Sequence, residues 1–238
     1  LNFVNNFAEL NVDLAQELLE ALACGGDYDE IVNDLNQNAK RISHYGKRAD
    51  GIVRTMMQHA SGGTGRRETT DINALVSQHV GLAYHGKRAQ LPDLTVDIRQ
   101  DLGADVGTVE VIPQEVGRVL LNLLSNALDA VHEQAVKVDG EYAPSVTVST
   151  KQVPGRVEIR VSDNGPGIAA EIEDKIFDPF FTTKPTGTGL GLSLSYDVVT
   201  QGHGGTLTVE SKGGEGTTFI VTLPVGRRTA ASSVRHGP

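Results

Sequence analysis

The apolar residues of this chain change their spacing once, and that change limits the fold to two parts. Up to about residue 60 they recur at helical intervals: Phe3, Phe7, Leu10, Leu14, Leu18 and Ala21, then Ile31, Leu35, Ile42, Tyr45, Ala49, Ile52 and Met56. These are the stripes of two amphipathic helices with near-heptad character. "CGGDYDE" separates them: Gly25 and Gly26 can end one helix, and Asp27 or Asp29 can cap the next. The expectation is an antiparallel hairpin over 1–60 that turns near residue 25. Charge supports it. The first 39 residues hold carboxylates such as Glu9 and Asp13 and no Lys or Arg, after which Lys40, Arg41, Lys47, Arg48 and Arg54 arrive together. Folding back lays the two blocks side by side. Two helices cannot enclose a core, so residues 1–60 are expected to form a homodimer by pairing with a second copy in a four-helix bundle. The alternative is a hairpin packed on its own chain. Asn38, where the heptad wants an apolar residue, is buried and register-setting in the first case and exposed in the second.

After "SGGTGRRE" (61–68), with 61–67 read as a linker, the pattern becomes mixed. "DINALVSQHVGLAYHGKRA" reads as a helix, "LTVDIRQDL" as a strand, and "PQEVGRVLLNLLSNALDAVHEQA" as a long helix opened by Pro113 in its first turn. "SVTVSTKQV" and "RVEIRVSD" alternate as a strand hairpin, with Val157, Ile159 and Val161 inward. A helix from about Leu190 to Thr200 and the strands "GTLTVES" and "TTFIVTLP" close the region. Strands in clusters with helices beside them make the fold class α+β: the helical hairpin, then an α/β sandwich over 68–225, then a polar, disordered tail over 226–238. A net charge of −9 argues against nucleic acid as partner. No apolar run is long enough to span a bilayer, so no membrane contact is expected from this segment, and the first residues lack the marks of a secretory signal. Cys24 is the sole cysteine, which suits a reducing, cytoplasmic setting.

Three stretches carry chemistry. In "NLLSNALDA" (122–130), Asn122 and Asn126 share a helical face and Asp129 extends it. Asparagine is a poor helix former, so a plain surface is a weak explanation, and the amide oxygen of Asn126 suits Mg²⁺, which keeps several waters and takes few protein ligands. "SDNGPGI" (162–168) puts Asp163 at a strand end beside Gly165 and Gly167. That is ordinary turn chemistry, but such a carboxylate can also accept from the amine of a base while bare backbone lets the ring approach. "TGTGLGLSLS" (186–195) sets Gly187, Gly189 and Gly191 before a helix, where free N–H groups attract phosphate. No Walker sequence is present, and Lys184 stands just upstream.

In order, "NLLSNALDA", "DNGPGI", "IFDPFFTTK", "GTGLGLSLS" and "GGEGTTF" resemble the nucleotide motifs of sensor histidine kinases, within the ATP-binding fold shared with gyrase, the ninety-kilodalton heat-shock chaperone and mismatch-repair ATPases. The resemblance covers roughly 67–224, and the preceding hairpin looks like the family's dimerisation and phosphotransfer domain. It implies ATP and Mg²⁺ as bound groups, Asn126 as the metal ligand, and Asn122, Asn126 and Lys184 as catalytic residues. Nucleotide contacts would come from Asp163, Gly165, Gly167, Ile168, Phe180, Thr183, Lys184, Gly187, Thr188, Gly189, Leu190, Gly191, Leu192 and Thr217. Phe177 and Phe180 would anchor a mobile lid, and Thr217 would support adenine through water; Glu115 and Asp129 are secondary candidates. Related ATPases carry a glutamate base where this chain has Asn122, and an amide cannot take a proton at neutral pH, which favours transfer to histidine over hydrolysis. The resemblance implies a cytoplasmic kinase core whose phosphate passes to the receiver domain of a response regulator. The rival readings are a nucleotide-binding scaffold and a hydrolysing ATPase. In the family the acceptor histidine lies just upstream of the "LNFVNNF"-like run, so it is expected before Leu1, the alternative being a copy without it. His44 and His59 are not at the family's acceptor position; His79, His85, His132 and His203 read as ordinary surface or core residues.

Overall fold

The computed structural model describes residues 2–24, 28–60, 65–138, 142–184 and 187–225, without the side chains of Asn2, Phe3, Arg48, Ile52 and residues 54–60. The expected hairpin turn at residues 25–27, linker residues 61–64, Thr186 and the tail from 226 lie outside the described residues. The chain divides into two compact units, one comprising 1–63 with Asp178–Leu190 and the other 64–177 with 191–238.

In the first unit, α1 (Asn2–Cys24) and α2 (Asp29–Ala60) pack together as the two stripes require. Phe7 of α1 stacks on Tyr45 of α2 with ring centroids 6.0 Å apart, and the Arg41 guanidinium lies 5.3 Å from the Phe7 centroid. The acidic start of α1 therefore runs beside the basic stretch of α2. Asn38 is buried, and Asn11 Oδ1 is buried with no hydrogen-bond partner among the described residues. Leu10, Val12, Leu19, Leu22 and Val32 stay exposed.

The second unit begins with β1 (Glu68–Asp71), α3 (Ile72–Gln90), β2 (Asp97–Leu102) and β3 (Thr108–Val111). The long helix α4 (Pro113–Lys137) follows, then β4 (Ser145–Val153), β5 (Arg156–Asp163) and the short α5 (Ala170–Glu173). After the 178–190 segment come α6 (Gly191–Asp197), a π-helical turn (Val198–Gly202), β6 (Thr206–Lys212) and β7 (Gly216–Pro224). The main sheet runs β2-β4-β5-β7-β6, with β2 and β4 parallel and every other pair antiparallel. It is the mixed sheet of an α+β sandwich. The predicted inward residues Val157, Ile159 and Val161 are fully buried, and α4 packs on β4 and β5 as well as on α3, with Leu120, Leu123, Leu128 and Val131 buried. Each such buried side chain contributes roughly 1.5–3 kcal/mol.

Local chemistry explains most of the boundaries. Asp71 caps α3 by accepting from Ala74 N at 3.0 Å. Pro113 occupies the first turn of α4, and the Ile112 N–H before it is satisfied by buried His203 Nε2 at 3.0 Å. The helix expected to run to Thr200 keeps α-geometry only to Asp197. Beyond it Thr200 Oγ1 donates to Tyr196 O and His203 Nδ1 to Val198 O, and the last turn widens to a π-helix. Periodicity also leaves out the small sheet of β1 and β3, whose four-residue strands are too short to show a pattern.

Candidate functional site

One face of α4 organises the site. Residues 122, 126 and 130 follow one another at intervals of four, so Asn122, Asn126 and Ala130 form a row about 12 Å long at 1.5 Å per residue. Gly191, the first residue of α6, lies against the Asn122 end, where a Cβ would overlap the Asn122 amide oxygen. At the other end Gly165 approaches so closely that a Cβ would stand 2.9 Å from Ala130 Cβ and 2.9 Å from Asp163 Oδ1. The glycines are thus needed to bring two backbone segments onto the helix. Asp129 does not join the row: its carboxylate pairs with Lys87 of α3, so the third place belongs to Ala130.

Asp163 sits at the end of β5, opposite Thr217 of β7. Burial raises its carboxyl to about pH 6, although backbone hydrogen bonds from Gly165, at 2.9 Å, and Thr217 pull the other way. The fold therefore maintains a partly desolvated carboxylate whose negative charge is under-compensated. Asn164, its neighbour in the turn, is committed to structure: Oδ1 accepts from Ser145 N and Tyr142 Oη, and Nδ2 donates to Ala143 O. The Tyr142 hydroxyl is pushed up, first by burial and then by the charge of Asp163.

Gly167 has φ +72°, and a Cβ there would overlap Lys212 O, so this turn is closed by glycine alone. Ile168 N donates to Ser211 Oγ, which donates to Gly216 O, leaving Thr217 Oγ1 to donate to Ser211 at 3.0 Å. Ile168 and Thr217 are thereby joined through Ser211. Leu192, half-buried, follows Gly191 in α6. Glu115 lies in the first turn of α4 with Oε2 3.9 Å from His203 Nδ1. Phe177 packs on Tyr196 with centroids 5.5 Å apart.

Phe180, Thr183, Lys184, Gly187, Thr188, Gly189 and Leu190 belong to the first unit. There Phe180 N donates to Gly189 O at 2.8 Å, both residues have positive φ, and a Cβ on Gly189 would overlap the Phe180 backbone. The mouth of this loop is closed by main chain, and the Phe180 ring is exposed. Lys184 N donates to Thr182 Oγ1, Gly187 N to Lys184 O, and Leu190, which is buried, to Thr188 Oγ1. Thr183 is exposed.

Sequence reasoning missed Ser195, whose hydroxyl bonds both Asn122 and Gly191, and Ser211. Ser195 stands one helical turn after Gly191, which is the signal that was available. Among the described residues no group of three or more His, Cys, Asp or Glu side chains could hold a metal ion by itself, and no helix is long and apolar enough to cross a membrane.

Residues 111–227 match the model of a family described as histidine kinase-, DNA gyrase B-, and HSP90-like ATPase. The sensor histidine kinase ZraS of Escherichia coli strain K12 is 29% identical over 212 residues, covering 89% of this chain and 41% of the relative. The chain thus spans about two fifths of the length of the curated relatives it matches. Among solved structures, the nucleotide-free catalytic domain of the histidine kinase ThkA aligns with a TM-score of 0.55 and 29% identity, covering 67% of this chain and 95% of that one. ThkA in complex with the response regulator protein TrrA aligns with a TM-score of 0.59 over 93% of this chain and 58% of that one; at 22% identity it speaks to fold alone.

Proposed function

Residues 111–227 belong to the histidine kinase-, DNA gyrase B- and HSP90-like ATPase family, the chain is a homologue of sensor histidine kinases, and on that premise we propose that it binds Mg²⁺·ATP and transfers the γ-phosphate to a histidine. The observation that carries the reading is the row on α4, with a glycine approach at each end and a desolvated carboxylate beside one of them. Its length suits an elongated ligand with a flat head and a charged tail. Asp163 accepts from the purine amine, Gly165 and Gly167 admit the ring, and Thr217 supports it. Asn122, Asn126, Gly191 and Leu192 attend the phosphate end. Phe180, Thr183, Lys184, Gly187, Thr188, Gly189 and Leu190 lie in a loop of the first unit, to which the resemblance assigns further nucleotide contacts.

The residues fit a magnesium ion carried in with phosphates. Asn126 offers a neutral amide oxygen, a donor that suits a hard ion which keeps several waters and is held mainly by its nucleotide's phosphates. Bound there, the ion would neutralise charge on the phosphates. The protein's part is to position and to exclude water. An imidazole nitrogen forms the new P–N bond as the bond from γ-phosphorus to the bridging oxygen breaks; ADP keeps that electron pair, and the imidazole's surplus proton goes to solvent. Asn122 cannot act as a base toward water, which disfavours hydrolysis. The phosphate then passes to a response-regulator aspartate. Dimerisation through residues 1–60 covers the exposed Leu10, Leu19, Leu22 and Val32, and the segment acts in the cytoplasm.

The test is labelling with γ-labelled ATP, in cis or onto a supplied histidine-bearing helical domain, with calorimetry alongside. An acid-labile, base-stable phosphoprotein is expected, and Asn126→Ala should abolish it while leaving the fold intact by circular dichroism. Labelling retained in Asn126→Ala would overturn the assignment. Binding without label would make the chain a scaffold, and steady phosphate release without phosphoprotein would make it a hydrolase.

A further inference from the structure

Ser195 of α6 is 4% exposed, and its hydroxyl lies 2.9 Å from Gly191 O and 3.0 Å from Asn122 Nδ2. A carbonyl can only accept, so the single Ser195 proton goes to Gly191 O. What remains on Oγ is lone pairs, which can only accept in turn. The end of the Asn122 amide facing Ser195 must therefore be its NH₂. The opposite flip would set two acceptors against each other in a buried place, at a cost that an unpaired polar group does not recover. Oδ1 is thereby turned to the face of Gly191, where no side chain can stand without overlapping it.

We infer that Ser195 is a positioning residue for phosphoryl transfer: through the chain Gly191 O, Ser195 Oγ, Asn122 Nδ2 it holds the Asn122 oxygen, an acceptor, turned away from Ser195, where a water of a phosphate-bound Mg²⁺ would donate to it. This rests on the Mg²⁺·ATP reading of the α4 row. It adds a residue that binds nothing itself and ties the carbonyl immediately after the glycine loop to the helix that carries the asparagines. An amide free to rotate would present its oxygen only part of the time, and that loss falls on the transition state rather than on nucleotide binding.

The experiment compares the intact protein with Ser195→Ala and Ser195→Thr. Ser195→Ala is expected to lower kcat for phosphoryl transfer about tenfold, the worth of one orienting hydrogen bond, with KM for ATP within about twofold. Ser195→Thr, which keeps the hydroxyl, should restore at least part of kcat. In the nucleotide-free protein the side-chain NH₂ resonance of Asn122, assigned by its loss in Asn122→Ala, should shift in Ser195→Ala and exchange faster with solvent. An unchanged Asn122 NH₂ signal would overturn the inference whether or not the protein proves to be a kinase. An active wild type whose kcat is untouched by Ser195→Ala would also overturn it, leaving the nucleotide site intact; a wild type that binds no ATP would sink the site reading alone, and the NMR result would still decide the role of Ser195.

Discussion

Asp163 shows at the scale of one residue what a buried carboxyl costs its fold. Its carboxyl is raised from 3.8 to about 6 by burial. The folded state therefore holds its proton more tightly than the unfolded chain. The stabilisation from that proton is fully present below about pH 4 and is lost as pH rises through 6, an effect of up to about 3 kcal/mol. Asp163→Asn removes the titration while keeping an acceptor for the Gly165 and Thr217 amides. The variant should unfold several degrees higher than wild type at pH 7.5, the two should converge near pH 4, and ATP binding should be lost; calorimetric scans at both pH values check it. A variant no more stable than wild type at pH 7.5 would mean that Asp163 is well compensated and not poised for a ligand. The carboxylate and its glycines at the strand end were legible from "DNGPG" only as turn chemistry, and the ordered series of motifs was needed to point to a ligand. Ser195 and Ser211 were not legible, since serine is common and their meaning lies in partners 73 and 6 residues away.

At the scale of elements, α4 is held in place by α3 as well as by the sheet. His79 of α3 donates from Nδ1 to Leu75 O at 2.7 Å, which holds its ring over Gly117 of α4. A Cβ on Gly117 would overlap that ring. Gly117→Ala should cost roughly 1–3 kcal/mol as overpacking, despite alanine's better helix propensity. In a His79→Ala background the same substitution should cost far less, a coupling that urea unfolding of the four proteins measures. Lys87 and Asp129 join the same two helices by an ion pair. Sequence spacing placed Asp129 on the asparagine stripe, and it could not anticipate that a lysine 42 residues upstream would claim the carboxylate. The long strands and helices were readable because their periods repeat many times. β1 and β3, at four residues each, offer too few repeats, and the π-helical turn is made by side chains back-bonding to carbonyls, which no hydrophobic pattern records.

At the scale of the whole molecule, the hairpin presents more apolar surface than two helices can bury. Val12, Leu19 and Leu22 of α1 are more than half exposed, and Val32 is exposed on α2. Light scattering should report a dimer for the wild type and a monomer for the Leu22→Glu, Val32→Glu double variant, with ATP affinity unchanged between them. A wild-type monomer would remove the bundle from the proposal. By itself the sequence determined the class of fold, the helical stripes and the inward face of β5, because each rests on spacing within a continuous segment; the ordered series of motifs carried the resemblance to the family. The tertiary structure decided which groups meet: Asn122 with Ser195 and Gly191, Gly165 with Ala130, Asp129 with Lys87, Ile112 with His203. Those pairings depend on hydrogen-bond geometry and packing between segments far apart in the chain, and they settle only when the sheet and α4 have closed on one another.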